Sequence, residues 1–159
     1  MEYIKRADAD EIAAYGAVIR ESFATVAREF GLTRENCPGH TSFLTDDRLR
    51  KKCEHGELYG LYADGILKGC MLLLDRSAGR YEMDHLAVLP SYRHMGYGRR
   101  LVEYAQEMVR ARGGTRISIG IIEESAVLKG WYQTCGFIPT GTKRFAFLPF
   151  TVGFMEWKA

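Results

Sequence analysis

Leu86-Ala87-Val88-Leu89-Pro90-Ser91-Tyr92-Arg93-His94-Met95-Gly96-Tyr97-Gly98-Arg99-Arg100-Leu101-Val102 is the stretch that decides how this chain folds. A strand-like apolar pattern runs to Leu89 and stops at Pro90, which has no N–H to carry a ladder further. An Arg-x-x-Gly-x-Gly turn follows. Leu101, Val102, Ala105, Met108 and Val109 then recur at helical spacing, predicting an amphipathic helix to about Arg112. Glycines at a strand-to-helix turn let consecutive backbone N–H groups point into one concavity. The helix N-terminus adds roughly half a positive charge there, so the turn suits a phosphate or pyrophosphate.

Outward from this turn the chain reads as one continuous α/β alternation. Upstream, Tyr3–Arg6 is a short strand. Asp8-Ala9-Asp10-Glu11 opens a helix carrying Ile12, Tyr15, Ile19, Phe23, Val26 and Phe30 on one face, and Gly31 ends it. Thr33–Thr45 is a loop, and Thr45-Asp46-Asp47 caps a second, polar helix reaching about Glu54. Leu58–Ala63 and Ile66–Leu74 flank Asp64-Gly65 as a hairpin, and Tyr81–Leu89 feeds the glycine turn. Downstream, Gly113-Gly114 closes the amphipathic helix and Arg116–Ile122 is a strand. Ser125 caps a helix with Leu128, Trp131, Tyr132 and Cys135, closed by Gly136. Arg144–Phe147 and Thr151–Trp157 are expected as antiparallel strands. No linker or repeat interrupts residues 1–159, so a single domain is expected.

Composition narrows the classes of partner. A net charge of +2, with Lys and Arg scattered, argues against nucleic acid and anionic membranes as partners. No apolar run is long enough to span a bilayer, and no apolar h-region follows Met1–Arg6, so no signal peptide is expected. Cys37, Cys53, Cys70 and Cys135 are widely spaced with no Cys-x-x-Cys, which suggests neither a metal site nor a redox motif. A reduced, cytoplasmic setting fits best.

Two motifs in this order resemble the GCN5-related N-acetyltransferase (GNAT) superfamily. Leu86-x-Val88-x-Pro90-x-x-Arg93-x-x-Gly96-x-Gly98 is similar to the family's acetyl-CoA pyrophosphate loop. Trp131-Tyr132-Gln133-Thr134-Cys135-Gly136-Phe137 is similar to its Leu-Tyr-x-x-x-Gly-Phe helix end. The resemblance implies an α/β fold: a single domain with a mixed, mostly antiparallel sheet of six to seven strands flanked by helices. It implies acetyl-CoA as donor, with no metal. Leu86, Ala87 and Val88 would meet the acetyl and pantetheine through their backbone. Arg93, His94, Met95, Gly96, Tyr97, Gly98 and Arg99 would surround the pyrophosphate, where a side chain at Gly96 or Gly98 would crowd an approaching phosphate. Ser125 stands where the family often has an Asn that bonds pantetheine. Tyr132 matches the family's tyrosine, which protonates the departing thiolate. By spacing alone Tyr132 is a core aromatic beside Leu128 and Trp131.

An attacking amine must also lose a proton. On Tyr81–Leu89, strict alternation puts Glu82 and Asp84 on one face with Leu86 and Val88, and His85 on the other. Burial would make either acid a better base near neutral pH, and some family members carry a catalytic Glu or His at these positions. The plainer reading is that the acids bind a cationic substrate or sit at a solvated strand end. His94 lies in the phosphate turn, and His40 is a substrate-side candidate. In the family, the first helices and last hairpin wall the acceptor site; here they carry Phe23, Phe30, Phe145, Phe147, Phe150 and Phe154. The same C-terminal hairpin offers an edge on which a second copy can pair as a homodimer.

The expected activity is acetyl transfer from acetyl-CoA to a primary amine of a small molecule or peptide. Two alternatives stay open: a non-catalytic acyl-CoA sensor or interaction module on the same fold, and a nucleotide-phosphate enzyme using the glycine turn. The second lacks the Lys-Ser/Thr or ribose-binding acid that such sites use.

Overall fold

The computed structural model describes residues 1–159. Strands β1 (Glu2–Arg6), β2 (Gly56–Ala63), β3 (Ile66–Asp75), β4 (Arg80–Val88), β5 (Arg116–Ile122), β6 (Ile138–Arg144) and β7 (Thr151–Lys158) form one sheet in the order β1-β2-β3-β4-β5-β7-β6. Helices α1 (Ile12–Phe30), α2 (Asp46–Cys53), α3 (Tyr97–Ala111) and α4 (Ala126–Thr134) flank it. Every neighbouring pair is antiparallel except β4 and β5, so the sheet is mixed and mostly antiparallel, as expected.

Local signals place the elements. Asp64 and Gly65 both have positive φ (54° and 75°), which a two-residue turn matched to strand twist requires. Gly31 ends α1 at φ 64°, its N–H bonded to the Ala27 carbonyl. The Thr45 hydroxyl accepts the Arg48 N–H at 3.2 Å and opens α2.

Helices cover both faces of the sheet, which is why Cys70–Leu74 is apolar without alternation. Met71, Leu73, Tyr81 and Met83 face Leu101, Val102, Ala105 and Val109 of α3 and Tyr132 of α4. On the other face Leu58, Leu72, Leu74 and Ala87 meet Ile12, Tyr15 and Ile19 of α1 and Leu49 of α2. Each fully buried Leu or Ile contributes about 1.5–3 kcal/mol. A third, smaller cluster of Ala27, Leu32, Cys37 and Ile122 is joined by Phe30, Leu148 and Phe150. It fastens the loop after α1 and the loop before β7 over the end of β5.

Two expectations are corrected. Strict alternation along β4 fails at His85, where φ is +54°. Leu72 pairs with Asp84 but Cys70 pairs with Ala87, so β4 fits one extra residue against β3. This bulge reverses the phase. Glu82 and Asp84 lie on the α1 face with Ala87, while Leu86 and Val88 pack against the α3 side. The strand expected over Arg144–Phe147 is instead β6, Ile138–Arg144, and Phe145–Phe150 is the connection to β7. Pro139 and Gly141 are tolerated there because β6 is an edge strand. Phe145 and Phe147 pair off in that connection, ring centroids 5.4 Å apart.

Gly69 fixes where the end of β4 lies. A Cβ there would stand 2.5 Å from the Ala87 carbonyl oxygen and 3.2 Å from Val88 Cγ2. Gly69→Ala is therefore expected to lower stability by about 1–3 kcal/mol in urea unfolding, the usual range for overpacking.

Candidate active site

β4 and β5 are hydrogen-bonded neighbours only at Arg80–Glu82 and Arg116–Ser118. Beyond those pairs β4 keeps its partner β3 as far as Val88, and β5 keeps β7 as far as Ile122. The sheet therefore opens between two strands that each remain supported from outside. On the open side, β4 from Met83 to Val88 has no strand partner. Backbone polar groups seek partners, so this edge is a place for an extended chain bearing amides to add on.

The glycine turn lies at the same end. Pro90–Tyr92 make a single helical turn, and α3 starts at Tyr97 with Gly96 before it at φ 84°. The backbone N–H groups of His94, Met95, Gly96, Tyr97, Gly98 and Arg99 donate to no protein acceptor; the first bond into the turn is Arg100 N–H to the Gly96 carbonyl, 3.1 Å. Six consecutive free donors at a helix head are an arrangement that suits an anion. The two glycines serve it differently. A Cβ at Gly96 would meet nothing within 4 Å, so that glycine is required by its positive φ. A Cβ at Gly98 would lie 3.3 Å from Trp131 Cζ2, so Gly98 makes room for α4.

Two side chains expected around the phosphate are turned elsewhere. The Arg93 guanidinium donates to the Ser22 carbonyl at 2.9 Å and to Ser22 Oγ at 3.3 Å, fastening the turn to α1. Arg99 reaches Thr134 at the end of α4, 2.8 Å to its Oγ. Ser125 Oγ accepts the Leu128 N–H at 3.4 Å and caps α4, which leaves its hydroxyl proton free to donate.

The titratable groups divide sharply. Glu82 sits where β4 and β5 are still paired, and its carboxylate is held by Arg76, 2.9 Å from Nε. Asp84 lies two residues further, past the parting of the strands. It makes no hydrogen bond to protein, and burial, helped by the negative charge of Glu82, pushes its pKa up to about 6. Lys52 and Arg76 act against that rise. Neighbouring His85 is held neutral, its pKa lowered to about 4 by burial and by the charge of Lys52. Its Nε2 is buried with no partner. A strained φ and an orphaned ring nitrogen in adjacent register with a perturbed acid are features that concentrate at functional sites.

Tyr132 faces the opening from the other side of the sheet. It is buried, edge-on to Trp131 at 5.0 Å and to Phe137 at 5.5 Å. Burial raises its pKa, and the charges of Cys135 and Asp84 raise it further. Its hydroxyl is therefore a proton-bearing donor throughout the neutral range. His40 sits apart from these groups, half-buried between Phe23 and Phe43, its Nδ1 2.7 Å from Ser42 Oγ. The influence of Lys52 and Arg76 on Asp84 had no signal in the sequence, since both lie on other elements.

A family model described as the acetyltransferase (GNAT) family matches residues 24–137. YvbK of Bacillus subtilis (strain 168), an N-acetyltransferase by name, is 34% identical over 91 residues, 57% of this chain. The chain spans 59% of that relative's length. The PaiA N-acetyltransferase of Thermoplasma acidophilum, solved in complex with coenzyme A, superposes at TM-score 0.84 with 19% identity, covering 100% of this chain and 99% of that one. The ribosomal-protein-S18-alanine N-acetyltransferase of Escherichia coli gives 0.80 with 15% identity, covering 99% and 94%. YncA of Salmonella typhimurium, solved with acetyl-CoA, gives 0.75 with 17% identity, covering 99% and 94%. At these identities the three superpositions show a shared fold.

The raised Asp84 pKa has a stability consequence. The folded value of about 6 lies above the unfolded value near 3.9, so the folded state holds the proton longer. Stability then falls as pH rises from 4 through 6, and the loss is complete above that. Asp84→Asn removes it: the variant is expected to be more stable than the wild type at pH 8, by about 1–3 kcal/mol, and no more stable at pH 4. Urea unfolding at the two pH values measures both.

Proposed function

The chain belongs to the acetyltransferase (GNAT) family, and from that footing we propose that it transfers acetyl from acetyl-CoA to a primary amine of a small molecule or peptide, by direct attack on the thioester. One observation carries this reading: the cradle of free amides at His94–Arg99 adjoins the opening between β4 and β5, with Asp84 and Tyr132 on its two sides. The coenzyme A and acetyl-CoA bound in the Thermoplasma and Salmonella relatives support the choice of donor.

The amides of His94 to Arg99 hold the pyrophosphate, and the free edge of Leu86, Ala87 and Val88 pairs with the amides of pantetheine. Ser125 offers its remaining proton to the same arm. Acetyl-CoA supplies an activated acyl group on a thiol leaving group. Asp84 takes the proton from the incoming ammonium, directly or through a water, which frees the nitrogen lone pair. Backbone N–H groups near Val88 stabilise the charge that forms on the carbonyl oxygen as the C–N bond is made. The C–S bond then breaks: Tyr132 gives its proton to the sulfur and is reprotonated by the second proton that the nitrogen sheds as it becomes an amide, while Asp84 releases the first proton to solvent. Neutralising Asp84 also removes one of the charges that hold the Tyr132 proton, so the first transfer prepares the second. Glu82 is the weaker choice of base because Arg76 already holds it. The exposed edge strand β6 supports a homodimer as the working assembly.

Tyr132→Phe is expected to lower kcat about ten- to a thousand-fold. Wild-type kcat/KM should fall at acid pH with an apparent pKa near 6, and Asp84→Asn should flatten that limb while lowering the rate. A wild-type profile without that limb, or an Asp84→Asn enzyme that keeps it, removes Asp84 from the role of base. Gly96→Glu should lose CoA binding in calorimetry, because it carries charge into the cradle and cannot hold φ 84° without strain, and circular dichroism should show the rest of the fold kept.

A further inference from the structure

α4 is nine residues long and has Gly130 in its middle. So short a helix has little stability of its own, and glycine lowers it further. Tyr132 is its one buried residue, with Trp131 and Cys135 only partly buried beside it, so its apolar anchorage is narrow and a small roll about its axis would move the Tyr132 hydroxyl. Lys129 of α4 is paired with Glu123, and the contacts that hold the C-terminal end of the helix come from α3. The Arg99 guanidinium donates to the Thr134 carbonyl at 3.2 Å and to Thr134 Oγ at 2.8 Å. Thr134 Oγ donates in turn to the Trp131 carbonyl at 2.5 Å. Gln106, two turns further along the same face of α3, donates to the Cys135 carbonyl at 2.9 Å. Carbonyls at a helix C-terminus lack intrahelical partners, and here α3 side chains satisfy two of them. Gly98 lets the Trp131 ring settle onto the first turn of α3, and Trp131 lies edge-on to Tyr132.

We infer that Arg99 is a positioning residue: through Thr134 it holds α4, and with it Tyr132, in register with the first turn of α3. Its backbone N–H belongs to the cradle, and its guanidinium belongs to the clamp and not to the phosphate. One short turn, Gly98-Arg99, thereby ties the place where the donor is gripped to the group that protonates its sulfur. The kinetic consequence rests on the acetyl-transfer reading; the structural one does not.

Arg99→Ala and Arg99→Lys test this with three measurements: CoA affinity by calorimetry, steady-state turnover of acetyl-CoA with an amine substrate, and hydrogen exchange of the amides of 126–135. Arg99→Ala should keep CoA affinity within about threefold of wild type. It should lower kcat about tenfold with little change in KM for acetyl-CoA, the signature of misplacement rather than lost binding. Exchange across α4 should quicken, and Arg99→Lys, which cannot make the paired contact, should fall between. Adding Thr134→Ala to Arg99→Ala should cost little more, because the two side chains act as one unit. A loss of CoA affinity of about tenfold or more with kcat kept would assign the guanidinium to phosphate and overturn the inference. Unchanged kcat with unchanged α4 exchange would overturn it equally. A wild type that acetylates no amine defeats the acetyl-transfer reading alone, since affinity and exchange still decide the clamp.

Discussion

A parallel ladder that stops after three residue pairs sets what this chain can do. Ladders end cheaply where a strand ends, yet neither β4 nor β5 ends there. Each continues for several residues with its other neighbour, so the sheet opens in its interior and stays rigid on both sides. An interior opening leaves backbone donors and acceptors of β4 without partners, and such groups are stable only where something else can meet them. The glycine turn then adds six free amides at the head of α3. A pantetheine arm carries amides and ends in a pyrophosphate, which matches the two kinds of vacancy in their order along the chain.

The His85 bulge gives the opening its chemistry. Without the extra residue, Glu82 and Asp84 would share a face with Leu86 and Val88. With it, the acids lie on the α1 side while Leu86 and Val88 pack toward α3 and Tyr132. Asp84 and Tyr132, the proposed base and acid, thus lie on opposite faces of the sheet. Burial and pairing then set the two neighbouring carboxylates apart. Glu82 is spent on Arg76, while Asp84 is left unbonded with a pKa near neutrality. A residue so placed costs folding stability at neutral pH, a common price for a reactive group.

The fold was legible in residues that act locally. Pro90 stops a strand, Gly31 and Gly136 end helices at positive φ, Asp64-Gly65 makes a hairpin, and Thr45 and Ser125 cap their helices. The turn of free amides before α3 was legible for the same reason, because glycine at a strand-to-helix turn has a backbone meaning. What was not legible depends on distant partners. Nothing next to His85 announces a bulge, since a histidine in positive φ looks like any other strand residue in the sequence. Pro139 and Gly141 argue against a strand unless the strand is known to lie at an edge, and that is a fact of sheet order. The turning of the Arg93 side chain to Ser22 and of the Arg99 side chain to Thr134 joins residues far apart in the chain, so neither contact had a signal in the sequence.

In the proposed reaction the free amides of His94–Arg99 hold the pyrophosphate of the donor. Two-dimensional 15N–1H spectra of the protein titrated with CoA address those six groups one by one. The predicted result is a saturable downfield shift of these amides, the response of N–H groups donating to a charged acceptor, with far smaller changes on β1 and β2. Amides of His94–Arg99 that stay unmoved at saturating CoA would contradict a pyrophosphate held there.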